Sequence, residues 1–117
     1  MKKPGQIILF EFPLSDLTQD IKLRPALIVG KIPSHFDDWL VCMISSQLQH
    51  YVDGFDEKIQ RSHADFNKSG LHTESVIRVG RLAVIDGSII RGSIGRIDSD
   101  RVKRIKSNII EWLKGNS

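Results

Sequence analysis

One cysteine, Cys42, stands among 117 residues, so no internal disulfide can staple the chain and its fold rests on an apolar core. The thiol lies inside Leu40-Val41-Cys42-Met43-Ile44 and reads as a small buried hydrophobe. Long hydrophobic runs are also missing. The stretch Ile7-Ile8-Leu9-Phe10 meets Glu11 after four residues, too short to cross a membrane or to act as a secretory leader. The expectation is a cytoplasmic protein with no membrane partner. Four histidines, His35, His50, His63 and His72, show no metal-ligand spacing, so neither a metal centre nor another cofactor is expected. A glycine-rich phosphate loop is lacking too: Arg91-Gly92-Ser93-Ile94-Gly95-Arg96 has neither the lysine nor the strand-loop-helix setting. No internal repeat or low-complexity tract is present.

What remains is an ordinary globular composition, 40% hydrophobic and 26% charged, of a length that suits one domain, residues 1–117. Seventeen basic residues face 14 acidic ones, and Arg78, Arg81, Arg91, Arg96, Arg101, Lys103, Arg104 and Lys106 crowd the last third. Such crowding fits a nucleic-acid partner or simply a solvated basic face. On the closing segment, Arg101, Lys103, Arg104 and Lys106 fall away from the apolar stripe, and solvation is their first reading.

Apolar alternation predicts a first strand over residues 6–12, ended by Pro13. A polar connection, 13–23, leads to a second strand over 24–31 with Pro25 at its first position, where a missing N–H is tolerated. A turn at 32–38 precedes a third strand over 39–45, apolar enough for burial on both faces. Three consecutive strands on such connections predict an antiparallel meander. Further strands are expected over 55–59, 73–79 and 82–85, with one short helical turn within 61–70. Gly92 and Gly95 read as bulges of a small barrel. The period then changes: Val102, Ile105, Ile109, Trp112 and Leu113 recur at three- and four-residue steps, so a helix over 99–114 ends the chain, with Asp98 or Ser99 as its cap and Gly115 as its stop. The fold class is therefore mainly β with a C-terminal helix, a small antiparallel barrel over about 5–97. Trp39, Trp112 and the apolar rim of the helix exceed what so small a barrel must bury, which suggests self-association into a homodimer.

Arg24 stands at the mouth of the second strand. A five-donor guanidinium held there suits a phosphate or a developing negative charge, and equally a structural ion pair. Ser45-Ser46-Gln47 and Ser75-Val76-Ile77-Arg78 likewise set hydroxyls and a guanidinium where apolar strands meet loops. One rim of a sheet can gather these groups for a phosphate, or the serines can merely cap strand ends.

The order of these segments resembles the MazF/PemK (Kid) toxins of bacterial type II toxin-antitoxin systems. The resemblance runs nearly end to end through Pro4-Gly5-Gln6-Ile7-Ile8, Phe12-Pro13, Arg24-Pro25-Ala26-Leu27-Ile28-Val29, Met43-Ile44-Ser45-Ser46-Gln47, Gly70-Leu71, Ser75-Val76-Ile77-Arg78, Ile94-Gly95 and the closing helix. It implies an SH3-like barrel, a homodimer, metal-independent endoribonuclease activity on single-stranded RNA, and a cognate antitoxin protein that occludes the RNA groove. Residue by residue, it makes Arg24 similar to the family's catalytic arginine and Ser45 to its active-site threonine, with Ser46, Gln47, Ser75, Arg78 and Arg81 as RNA-binding candidates. The chain departs from the pattern at Gly80, where many members carry an acidic residue, and the 13–23 connection lacks their Gly-x-Glu-Gln-x-Gly. The base is thereby unassigned among Asp16, Asp20, Glu74, Asp86 and His72. The alternative reading is a non-catalytic barrel that binds nucleic acid or a partner protein, including a gyrase-directed toxin, because one fold hosts several functions.

Overall fold

The computed structural model describes residues 2–13 and 21–115. Strand β1 (Gln6–Pro13) pairs with β2 (Ile21–Lys31), and β2 with β3 (Asp38–Ser45), giving the expected antiparallel meander. Strand β4 (Glu57–Ile59), a helical turn α1 (Phe66–Ser69), β5 (Ser75–Asp86), β6 (Ile90–Arg96) and helix α2 (Ser99–Leu113) complete the fold. The strands form one antiparallel sheet in the order β4-β5-β3-β2-β1-β6.

Alternation along the central strands buries both faces. Ile7, Leu27, Cys42, Ile44, Ile77 and Val79 pack on one side beneath Ile105 and Ile109 of α2. Their chain neighbours Ile8, Ala26, Ile28 and Val41 join Phe10, Trp39 and Ile85 on the other. A period of two therefore explains why these strands read as almost unbroken apolar runs. Burial pushes the Cys42 thiol up to about 12, with the nearby Asp56 carboxylate adding to the rise, in keeping with an inert core residue.

Several elements differ from expectation. Pro25 is not the first residue of its strand: β2 begins at Ile21, and Pro25 pairs with Leu9 inside it. Pairing between β2 and β3 starts only at Ala26↔Met43, so β2 is still an edge on that side where the proline lies, and its missing donor removes no ladder bond. The two strands expected over 73–85 are one. Arg78 pairs with Met43 and Leu82 with Cys42, so residues 79–81 bulge out of a continuous β5, with Gly80 at the centre. The 55–59 strand is shorter, because the Phe55 and Asp56 N–H groups both turn back to the Val52 carbonyl. As expected, β6 shifts register beside Gly92 and Gly95.

Closure of the barrel depends on close approach between α1, which follows β4 in the chain, and β6 at the opposite edge of the sheet. A Cβ on Gly95 would strike the Lys68 and Ser69 backbone, and one on Gly70, at φ +74°, would strike the Ile94 carbonyl. Only glycine lets the two backbones meet.

Two further expectations are corrected. Arg101 is 6% exposed, not solvated, because it reaches back from α2 to the carboxylates of Asp65 and Glu57. Trp39 is buried in the second cluster, its indole Nε1–H donating to Asp37 at 2.7 Å, so it offers no spare apolar surface for self-association. Trp112, Leu113 and Ile110, on the last turn of α2, are exposed, and Gly115 ends the helix at φ +84°.

Candidate functional site

Register across the sheet aligns the candidate groups. Lys58 of β4 opposes Val76 of β5, which opposes Ser45 of β3. Arg24 lies two residues before Ala26, which opposes Met43, so it has the parity of Ser45 in the sheet, and it pairs with Phe10. Directly opposed residues of antiparallel strands project from one face. Lys58, Ser45 and Arg24 thus lie in a row, and Arg78, opposite Met43, lies one step along the same face. This is the face of Phe10 and Val41; α2 covers the other.

The row mixes cations with aromatic rings. The exposed Arg24 guanidinium lies 5.2 Å from the centroid of the Phe12 ring, itself 40% exposed. The Lys58 ammonium lies 4.3 Å from the Tyr51 ring, whose hydroxyl donates to Asp53. A cation held beside an aromatic face offers a phosphate contact and a stacking surface together. No described carboxylate pairs with Arg24.

Ser45 sits where β3 gives way to a short 3-10 turn, Leu48–His50. Its Oγ accepts the Gln47 N–H at 3.0 Å and lies 3.0 Å from His50 Nδ1. The turn is tied by the His50 N–H to the Gln47 carbonyl, also 3.0 Å. Ser46 and Gln47 are exposed beside it, the Gln47 side-chain Oε1 accepting from Gln49 Nε2. Arg81 is exposed within the β5 bulge and Arg78 is half-buried. Ser75 does not join the row. It lies one residue from Val76, hence on the α2-covered face, where it is 3% exposed and donates to the Thr73 carbonyl.

The candidate bases are dispersed. Glu74 accepts the Arg61 N–H, Asp86 caps the turn at Gly87–Ile89 and pairs with Asp38 at the opposite end of β3 from Ser45, and His72 is exposed. Asp16 and Asp20 lie outside the described residues. Gly80 is exposed, and a side chain there would press on the Phe55 ring, 3.2 Å from its Cβ position. The titratable group that does meet Ser45 is His50, hidden in a polar stretch without periodicity. Its only sequence signal is a serine followed five residues later by a histidine across a tight turn.

A second polar cluster is structural. Arg101 donates two hydrogen bonds to Asp65, at 2.8 and 2.9 Å, and one each to Glu57 and the Lys58 carbonyl, while Arg104 also binds Glu57. These bonds hold the Asp65 carboxyl at about 2, well below its usual range, against the opposing effect of burial. The cluster joins α2, β4 and the residue before α1. Among the described residues no group of three or more His, Cys, Asp or Glu side chains could hold a metal ion, and no helix is long and apolar enough to cross a membrane.

Residues 3–113 match the family model described as PemK-like, MazF-like toxin of type II toxin-antitoxin system. Three solved structures share the fold at low identity. A MazE-MazF crystal structure from Deinococcus radiodurans has a TM-score of 0.72 at 16% identity, over 99% of this chain and 97% of that one. An endoribonuclease in complex with its cognate antitoxin, from a mycobacterial species, has 0.67 at 15%, over 97% and 96%. The Mycobacterium tuberculosis toxin MazF-mt6 has 0.65 at 17%, over 93% and 96%. Comparison with curated proteins found no match.

Proposed function

The chain belongs to the PemK-like, MazF-like toxin family of type II toxin-antitoxin systems, and from that premise we propose that it is a metal-independent endoribonuclease acting on single-stranded RNA. The observation that supports this reading is the strand parity that turns Arg24 and Ser45 toward the same face of the sheet. In the reaction the ribose 2′-oxygen attacks the adjacent phosphorus and the bond to O5′ breaks, leaving a 2′,3′-cyclic phosphate and a 5′-hydroxyl. Negative charge grows on the non-bridging oxygens as the phosphorane forms. A guanidinium offers those oxygens a two-pronged donor, and the Ser45 Oγ would add a third contact. Lys58, Arg78 and Arg81 supply further phosphate contacts along the strand, and Phe12 and Tyr51 supply rings on which bases stack.

The same reading gives the chain two protein partners, a cognate antitoxin and a second copy of itself. One relative is itself an endoribonuclease bound to its cognate antitoxin, and the exposed apolar end of α2 leaves surface for association.

Purified protein incubated with a long single-stranded RNA in EDTA, beside Arg24→Ala, tests the proposal. Cleavage by the wild type, with cyclic-phosphate and 5′-hydroxyl ends, is the expected result. Arg24→Ala is expected to cut at least about 100-fold more slowly, the loss typical of removing a donor to developing charge. Intact RNA from folded wild-type protein, over many sequences, would leave a binding barrel as the better description.

A further inference from the structure

We propose, resting on the ribonuclease reading above, that His50 is the terminal proton acceptor of the cleavage step, reached through the Ser45 hydroxyl, and that it fills the role left open at Gly80. The hydrogen-bond inventory at Ser45 carries the argument. A hydroxyl has one proton and two lone pairs. The Gln47 N–H occupies one lone pair of Ser45 Oγ, so the hydroxyl proton is free to point along the 3.0 Å vector to His50 Nδ1. With the hydroxyl proton on that vector, the neutral imidazole carries its own proton on Nε2 and Nδ1 is the acceptor.

The step balances as follows. The 2′-hydroxyl gives its proton to Ser45 Oγ while the Ser45 proton moves to Nδ1, producing an imidazolium. The new bond joins the 2′-oxygen to phosphorus, and the electron pair of the breaking P–O bond goes to O5′. O5′ takes a proton from a solvent water, and the imidazolium returns one to the resulting hydroxide. The net transfer is one proton from the 2′-hydroxyl to the 5′-oxygen.

The charge around the dyad serves substrate binding. The titratable groups of the same parity are Arg24 of β2, Arg78 of β5 and Lys58 of β4, with Glu74 just before β5 and hydrogen-bonded to the Arg61 N–H and Tyr51 following the turn and hydrogen-bonded to Asp53. The three cations sit on the face where the phosphate would bind, so they attract the substrate while the imidazole takes its proton. Of the described groups first considered for the role, Asp86 stands at the other end of β3, His72 is exposed, and Glu74 is engaged by the Arg61 N–H.

Single-turnover cleavage of a short RNA carrying the mapped cut site, in EDTA and across pH 5–8, provides the test. The full chain is compared with His50→Gln and with His50→Ala, the latter with and without imidazole. His50→Gln should slow cleavage about 100-fold or more, the usual scale for losing a positioned base, with RNA affinity within about threefold of the wild type. It should also abolish the acid limb of the wild-type profile. Imidazole should restore His50→Ala about tenfold. A His50→Gln protein that cuts within about threefold of the wild type, or that retains the acid limb, overturns the assignment while leaving the ribonuclease reading intact. So does failed imidazole rescue of folded His50→Ala. Should neither His50 variant fold, a wild-type profile with no acid limb overturns it alone. A wild type that cuts no RNA overturns both.

Discussion

A guanidinium that amphipathic reasoning assigns to solvent turns out to hold three elements together. Arg101 lies off the apolar stripe of α2, and a helical wheel sends such a residue outward. Its partners, Asp65 and Glu57, come from segments 36 and 44 residues away, and no local pattern anticipates them. Two of its bonds satisfy both Asp65 oxygens at once, so removing the arginine would leave a carboxylate only 2% exposed without its counter-charge. Arg101→Ala is therefore expected to cost roughly 3–5 kcal/mol, read as a lower urea midpoint. The acid dependence has a definite sign. The folded Asp65 carboxyl titrates at about 2, below its ordinary 3.8, so its contribution is complete above 3.8 and is lost as pH falls from 3.8 toward 2. It amounts to about 2 kcal/mol. Asp65→Asn should flatten the stability profile in that window, and an unchanged slope would show that other carboxylates govern acid unfolding.

Among the elements, β1, β3 and α2 were legible because each writes its own period. Alternation marks β1, an apolar run marks β3, and three- and four-residue steps mark α2. The structure returns Gln6–Pro13, Asp38–Ser45 and Ser99–Leu113. The proline misplaced β2 because its tolerance depends on where the neighbouring strand begins to pair, which is a tertiary fact. Gly80 split β5 for a similar reason: a bulge and a break look alike until a partner strand spans both sides. At the site, Arg24, Ser45 and Ser75 were all singled out at strand ends, with roles for the first two implied by motif order, and a single residue of register turns Ser75 to the α2-covered face. His50 needed a turn geometry that composition does not encode. The two close-approach glycines sharpen the point, since Gly95 was read as bending the barrel and Gly70 figured only in the order of motifs. Gly70→Ala sets a Cβ into the Ile94 carbonyl at positive φ. It should destabilise the fold by at least about 1–2 kcal/mol from conformation alone, with the α1 contact to β6 opening further. Gly54→Ala has a similar φ of +78° but open space around it, so its thermal midpoint should fall less. Equal shifts would mean that backbone conformation, and not the approach of α1 to β6, sets the cost.

On the scale of the whole molecule, a net charge of only +3 gives little general attraction for a polyanion, so any RNA affinity must come from where the cations sit. The sheet divides them. Arg24, Lys58 and Arg78 share the face opposite α2, while Lys103 and Lys106 belong to the helix that covers the other. Counterion release makes this division measurable. Each phosphate neutralised on a single strand steepens the dependence of log K on log salt by about 0.7, so Arg24, Lys58, Arg78 and Arg81 together give a slope near −3. Lys58→Ala and Arg78→Ala should each make the slope shallower by about 0.7 and weaken binding alike for every RNA sequence, because phosphate contacts carry no base information. Lys103→Ala, which removes an equal charge from the far face, should leave slope and affinity unchanged. Titration by fluorescence anisotropy between about 50 and 200 mM salt separates the cases. Equal losses from Lys103→Ala and Lys58→Ala would place the strand over α2, whereas a loss confined to the row would trace it past Ser45 and His50.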